Sequence, residues 1–98
     1  MPNEIPDLSS ESISKAIELL KRNITIRISR HGKICHANTH ESLGIVTEEF
    51  HELVDAVKKN GVASIIREMM DVSVGALIGV ASIFERWEKI DAVEKKEK

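Results

Sequence analysis

Two acidic clusters constrain this chain more than any other feature. They are Glu48-Glu49-Phe50-His51-Glu52 and Glu68-Met69-Met70-Asp71, each with carboxylates three residues apart and apolar sequence close by. Side chains at i and i+3 share a helix face. Both clusters sit in segments of helical periodicity, and Asn60-Gly61 between them is a helix stop. The pattern predicts an antiparallel hairpin. Glu52 lies about seven residues before the turn and Glu68 about seven after it, so the clusters stand at similar height along the two helices. Four carboxylates turned toward one another among apolar neighbours need a cation to neutralise them. The hard, oxygen-seeking ion that suits such a cage is Mg²⁺, with Mn²⁺ as the usual substitute.

The rest of the pattern fills in an all-α domain. Residues 1–8 hold both prolines and read as a loose arm. Ser9 or Ser10 caps a first helix running to about Asn23, with Ile13, Ala16, Ile17 and Leu20 as its apolar stripe. Ile24-Thr25-Ile26-Arg27-Ile28-Ser29 then alternates with period two and is rich in β-branched residues. It predicts a short extended segment over 24–30 that turns at Arg30-His31-Gly32-Lys33. A second helix starts at Asn38 or Thr39 and ends at Gly61, its core stripe formed by Leu43, Val46, Phe50, Leu53, Val54 and Val57. On it, Glu41, Glu48, Glu52 and Asp55 fall on the opposite side, and Glu49 lies at the border.

A third helix is expected over Val62–Ile90. Its polar or small residues, among them Glu68, Asp71, Gly75 and Ser82, form one narrow stripe, and most of the remaining surface is apolar. A helix of that kind must be covered nearly all round. A chain of 98 residues can hardly do this alone. The expectation is therefore a helical-bundle dimer or tetramer with this helix in the interface, and Trp87 as a candidate anchor. Gly75 and Gly79 give room for close approach of a helix or a ligand. Residues 91–98 form a charged tail expected to fray.

Several functions are disfavoured. A net charge of −2 does not suit a nucleic-acid polymer, and three aromatic residues offer little base stacking. The apolar run Val72–Phe84 spans 13 residues, too few to cross a bilayer. The amino terminus lacks the features of a secretory signal, and the single Cys35 fits a reducing, cytoplasmic setting.

The order EExxE, fifteen intervening residues, then ExxD resembles the signature of the MazG-like all-α nucleoside triphosphate pyrophosphohydrolases. It is borne here by Glu48, Glu49, Glu52, Glu68 and Asp71. The run Thr39-His40-Glu41-Ser42-Leu43-Gly44 leading into it also looks like small members of that family. The likeness covers roughly residues 39–84. It implies Mg²⁺-dependent hydrolysis of a nucleoside triphosphate, standard or non-standard, to monophosphate and pyrophosphate. By the same likeness, Glu49, Glu52, Glu68 and Asp71 are the metal ligands. Glu48 is the catalytic base, a ligand of a second metal, or a support for the other ligands. Cationic side chains should hold the remaining phosphates. Lys33, Arg67 and Arg86 are candidates, with Arg30, Lys58 and Lys89 also eligible, and His40 and Glu41 are further candidates for substrate contact. Family members are expected to be helical or variable where residues 24–36 read as extended.

Blander readings stand beside these. The glutamates can be solvated helix faces. Glu41 can simply meet the helix dipole. His36 and His40 have zinc spacing but no third ligand. Glu48–His51 spells one ExxH of a di-iron bundle without its second copy. Cys35 reads as buried or inert, Met69 and Met70 as core packing, and His51 as exposed. The alternatives to an enzyme are a non-catalytic MazG-like module that binds a nucleotide or a protein, and a purely structural helical interaction protein.

Overall fold

In the computed structural model, which describes residues 4–87, the chain forms three helices. These are α1 (Ser10–His31), α2 (Thr39–Lys59) and α3 (Val62–Arg86). Ser9 is the N-cap of α1, its hydroxyl accepting from the amide of Ser12 at 3.0 Å. Asn38 caps α2 by accepting from the Glu41 amide at 2.9 Å. Asn60 ends α2 in the left-handed region (φ 57°, ψ 33°), which Asn tolerates better than most residues, and α3 begins two residues later. Lys89 and the tail 91–98 lie outside the described residues.

The expected extended segment is not there: residues 24–31 continue α1 as helix. The alternating isoleucines misled. Ile24 and Ile28 are also four apart, directly in line with Leu20, and all three are half-buried on one helix face. Nothing else in the described chain is a strand, so an extended 24–30 would have no partner for its backbone groups. The polar residues of the segment are satisfied within the helix. Thr25 Oγ1 donates to the Lys21 carbonyl at 3.0 Å, and Ser29 Oγ donates to that of Ile26 at 3.0 Å. Gly32, at φ 78°, ends the helix with its amide on the Ile28 carbonyl at 2.8 Å.

The α2–α3 hairpin is the centre of the molecule, and α1 packs on α3. The face α2 turns to α3 differs from the stripe expected. Leu43, Phe50 and Val57 are exposed, at 65%, 52% and 50%, while Ser42, Val46, Glu49, Leu53 and Ala56 are sheltered. That inner set is spaced alternately four and three residues apart, the repeat of a helix–helix seam. On α3 the inner set is Glu68, Asp71, Gly75, Ile78 and Ser82, with the same spacing.

The reason lies in size. A Cβ placed on Gly79 would stand 3.1 Å from Ser42 Oγ, and one on Gly75 would stand 3.4 Å from Ile45 Cγ2. The two glycines thus let α2 come close, and the small and polar stripe of α3 faces inward. Many of its apolar residues face out: Val62, Ile66, Met69, Val80, Ile83 and Phe84 are exposed, as is Trp87 at its C-cap. Met69 is therefore not core packing, although Met70 is half-buried. Ala56 and Val74 are the buried hydrophobic residues of the described chain.

Candidate metal centre

Glu49 and Glu52 reach from α2, and Glu68 and Asp71 from α3. One oxygen of each lies within 4.8 Å of the others. The i and i+3 spacing aligns each pair, and the turn at Asn60-Gly61 brings the pairs level. Glu49, Glu68 and Asp71 are half-buried, while Glu52 is open to solvent. Glu49 Oε2 and Glu68 Oε2 are buried without a hydrogen-bond partner. Leaving a carboxylate oxygen in that state is costly.

The electrostatics follow from this crowding. Burial lifts Glu49 up to about 7, and the neighbouring charges of Glu52, Asp71 and Glu68 add to the rise. Asp71 is raised as well, first by burial and then by Glu68, against the opposing pull of Arg67 and Arg27. The ion pair made to this group is loose: Arg67 Nε is 3.8 Å from Glu68 Oε1, and the Arg67 side chain is mostly in solvent. A hard divalent cation fits this donor set. It would receive anionic oxygens only, and it would satisfy the two orphaned ones.

The other residues singled out in the sequence lie elsewhere. Glu48 is exposed and outside the four-carboxylate group. His40 is exposed in the first turn of α2, where Asn38 and not His40 provides the cap. The Glu41 carboxylate accepts from the Ala37 amide at 3.0 Å, while the Glu41 amide donates to Asn38, a reciprocal arrangement close to a capping box. Lys33 is exposed in the α1–α2 loop, on the wall of a cavity of about 260 Å³ that it shares with Cys35. Cys35 is exposed, not buried. Arg86 donates to the carbonyl of His36.

His36 belongs to a separate cluster at the far end of the hairpin. It is 3% exposed, its amide donates to Ser82 Oγ at 2.9 Å, and its Nδ1 shares a 2.6 Å hydrogen bond with Ser42 Oγ. It does not converge with His40 on a metal site, and His51 is exposed beside Phe50.

Sequence reasoning missed Arg27. With α1 continuous to His31, the half-buried Arg27 looks toward Asp71, and the two line a common cavity of about 220 Å³ with Glu49. The available signal was the spacing Asn23, Arg27, Arg30, His31. It marks one face of a helix but not of a strand.

No protein-family model matches this chain, and no characterised protein or solved structure is significantly similar to it.

Proposed function

We propose that this protein is a Mg²⁺-dependent nucleoside triphosphate pyrophosphohydrolase of the MazG-like kind, acting as a homo-oligomer. The observation that carries this reading is the convergence of Glu49, Glu52, Glu68 and Asp71, with two buried oxygens left without partners. In a structural helix pair those positions would hold apolar residues or matched charges. Here the seam residues themselves, Glu49, Glu68 and Asp71, are acidic.

Glu49, Glu52, Glu68 and Asp71 would hold the cation. When bound, it supplies positive charge to polyphosphate oxygens and lowers the pKa of the attacking water. The reaction adds water across the bridge between the α- and β-phosphoryl groups, releasing pyrophosphate and one proton. Glu48, adjacent to Glu49 and open to solvent, is the carboxylate of the signature left to take that proton.

The oligomer rests on the outer face of α3. Val62, Ile66, Met69, Ser73, Ala76, Val80, Ile83 and Trp87 repeat at alternating spacings of four and three, and nearly all are exposed. Leu43, Phe50 and Val57 give α2 a similar line seven residues apart. With so little buried within one chain, a second copy is the economical cover for these faces. The same seam favours the alternative of a helical interaction module without catalysis.

The test is pyrophosphate release from a panel of nucleoside triphosphates with Mg²⁺. Release that vanishes in Glu52→Gln and Asp71→Asn is the expected result. Absence of release from every substrate, with a Mg²⁺-dependent rise in melting temperature, would leave a binding module. Light scattering reads the oligomer. Ile66→Glu with Val80→Glu should yield monomers, and a wild-type monomer would sink the assembly.

A further inference from the structure

The cavity of about 220 Å³ beside the carboxylates has two walls of opposite sign. Glu49 and Asp71 stand on one side, and Arg27, Arg30 and His31 of α1 on the other, with Asn23 at its edge. Neither Arg27 nor Arg30 has an ion-pair partner among the described residues, although carboxylates are abundant nearby. Arg27 is half-buried and lines the cavity, and Arg30 lines it from an exposed position. Elsewhere on α1, Lys15 pairs with Glu11 and Lys21 with Glu18, while Arg22 lines a different cavity without an ion pair among the described residues. The stretch of α1 that lines the cavity thus carries two guanidiniums without an ion pair, beside carboxylates.

The geometry points to this cavity as the seat of a polyphosphate group, gripped by Arg27 and Arg30 on one wall while its other oxygens meet a cation held by the carboxylates. This inference rests on the metal reading above and adds the residues that take the ligand. A ligand must present negative charge to both walls: directly to the guanidiniums, and through a divalent ion to the carboxylates. A di- or triphosphate does this, because its oxygens chelate a cation at one edge and leave anionic oxygens at the other. Guanidinium forks suit those oxygens bidentately. A cavity of this volume is smaller than a typical site for a whole drug-sized ligand, so the nucleoside lies beyond its mouth. Arg67 and Arg86, the arginines named among the sequence candidates, are otherwise engaged: Arg67 with Ser64 and Glu68, and Arg86 with the His36 carbonyl.

The experiment uses the full chain and two titrations followed by calorimetry. Mn²⁺ alone probes the cage, and inorganic tripolyphosphate in the presence of Mg²⁺ probes the cavity. Arg27→Ala and Arg30→Ala should each weaken tripolyphosphate binding about tenfold or more, and Mn²⁺ binding without the anion should not weaken. Arg27→Lys should recover part of the loss, since it keeps the charge without the fork. Arg22→Ala, on the same helix but on the wall of a different cavity, should change nothing. Circular dichroism and thermal melting identify any variant that loses helix. For such a variant, the matching Arg→Lys change supplies the decisive titration.

Failures separate cleanly. Mn²⁺ binding with tripolyphosphate affinity indifferent to Arg27 and Arg30 overturns the clamp and leaves the metal reading intact. Arginine-dependent tripolyphosphate binding without any Mn²⁺ site overturns the metal reading, and with it the cation-bridged half of the seat, and leaves the arginine grip standing. An equal loss in Arg22→Ala reduces the effect to bulk charge and overturns the proposal.

Discussion

The two ends of the α2–α3 seam are built in opposite ways. On the turn side, Glu49 of α2 meets Glu68 and Asp71 of α3, and two carboxylate oxygens are buried without partners. At the far end, Ser42 meets Gly79 and the loop residue His36, and Ser82 bonds the His36 amide while its own hydroxyl donates to the Ile78 carbonyl at 2.7 Å. The far end has close contact and nearly complete hydrogen bonding; only His36 Nε2 is left over. The acidic end has repulsion and unmet acceptors. One helix pair therefore keeps a fastening toward one end and crowded like charge toward the other. A stability role explains the first and not the second.

That contrast can be broken by mutations with effects of opposite kind. The largest effect is expected from Asp71→Asn. It should reduce Mn²⁺ or Mg²⁺ affinity by at least about a hundredfold in calorimetry, while the metal-free protein melts at an equal or higher temperature because repulsion is relieved. A drop in melting temperature without loss of metal affinity would make the acidic end structural.

Gly79→Leu should do the reverse. The Cβ alone stands 3.1 Å from Ser42 Oγ and 3.3 Å from Ser42 Cβ, so overpacking costs about 2 kcal/mol. That should appear as a fall in melting temperature of roughly 10 °C, with metal affinity preserved.

Ser82→Ala is smaller. It leaves the buried His36 amide without its acceptor, at a cost of about 1–2 kcal/mol, read by denaturant unfolding. A cost shared equally by a metal titration would mean that the two ends are not independent.

The smallest effect is a pH dependence. Glu49 titrates at about 7 in the folded chain, above its value near 4.3 in an unfolded one. The folded state therefore holds the proton more tightly. Stability relative to Glu49→Gln should fall as pH rises from about 4.3 to about 7 and stay low above that. Mg²⁺ at pH 8 should recover it. Melting curves of the two proteins from pH 5 to 8 check the sign, and a gap that is constant with pH would contradict the shared-charge account of the acidic end.

Legibility from sequence followed the same division. The meeting of Glu49, Glu52, Glu68 and Asp71 could be read in advance because only two facts are needed, the three-residue spacing and the turn at Asn60-Gly61. Helix rotation could not. Leu43, Phe50 and Val57 look like core by hydrophobicity, yet the small residues of α3 admit Ser42 and Glu49 instead. Closeness of approach, not apolar content, chose the buried face. The Ile24–Ser29 stretch failed for another reason: residues spaced by two include pairs spaced by four, and the absence of a second strand decides between them. Reading that stretch as a strand also hid Arg27, whose position makes sense only on a helix continuous with Asn23 and Arg30.

The hairpin is also a span clamped at both ends. The turn at Asn60-Gly61 lies about 11 residues, or roughly 16 Å, from Asp71, and the Gly79 contact lies about 8 residues, or roughly 12 Å, on the other side. Contacts on both sides thus oppose any splaying of the helices under the repulsion at mid-span. Protonation relieves part of that repulsion, and a bound cation would relieve it in the proton's place. A cation taken up there would compete with the proton that Glu49 holds, with no hinge, lid or rearrangement of the backbone required.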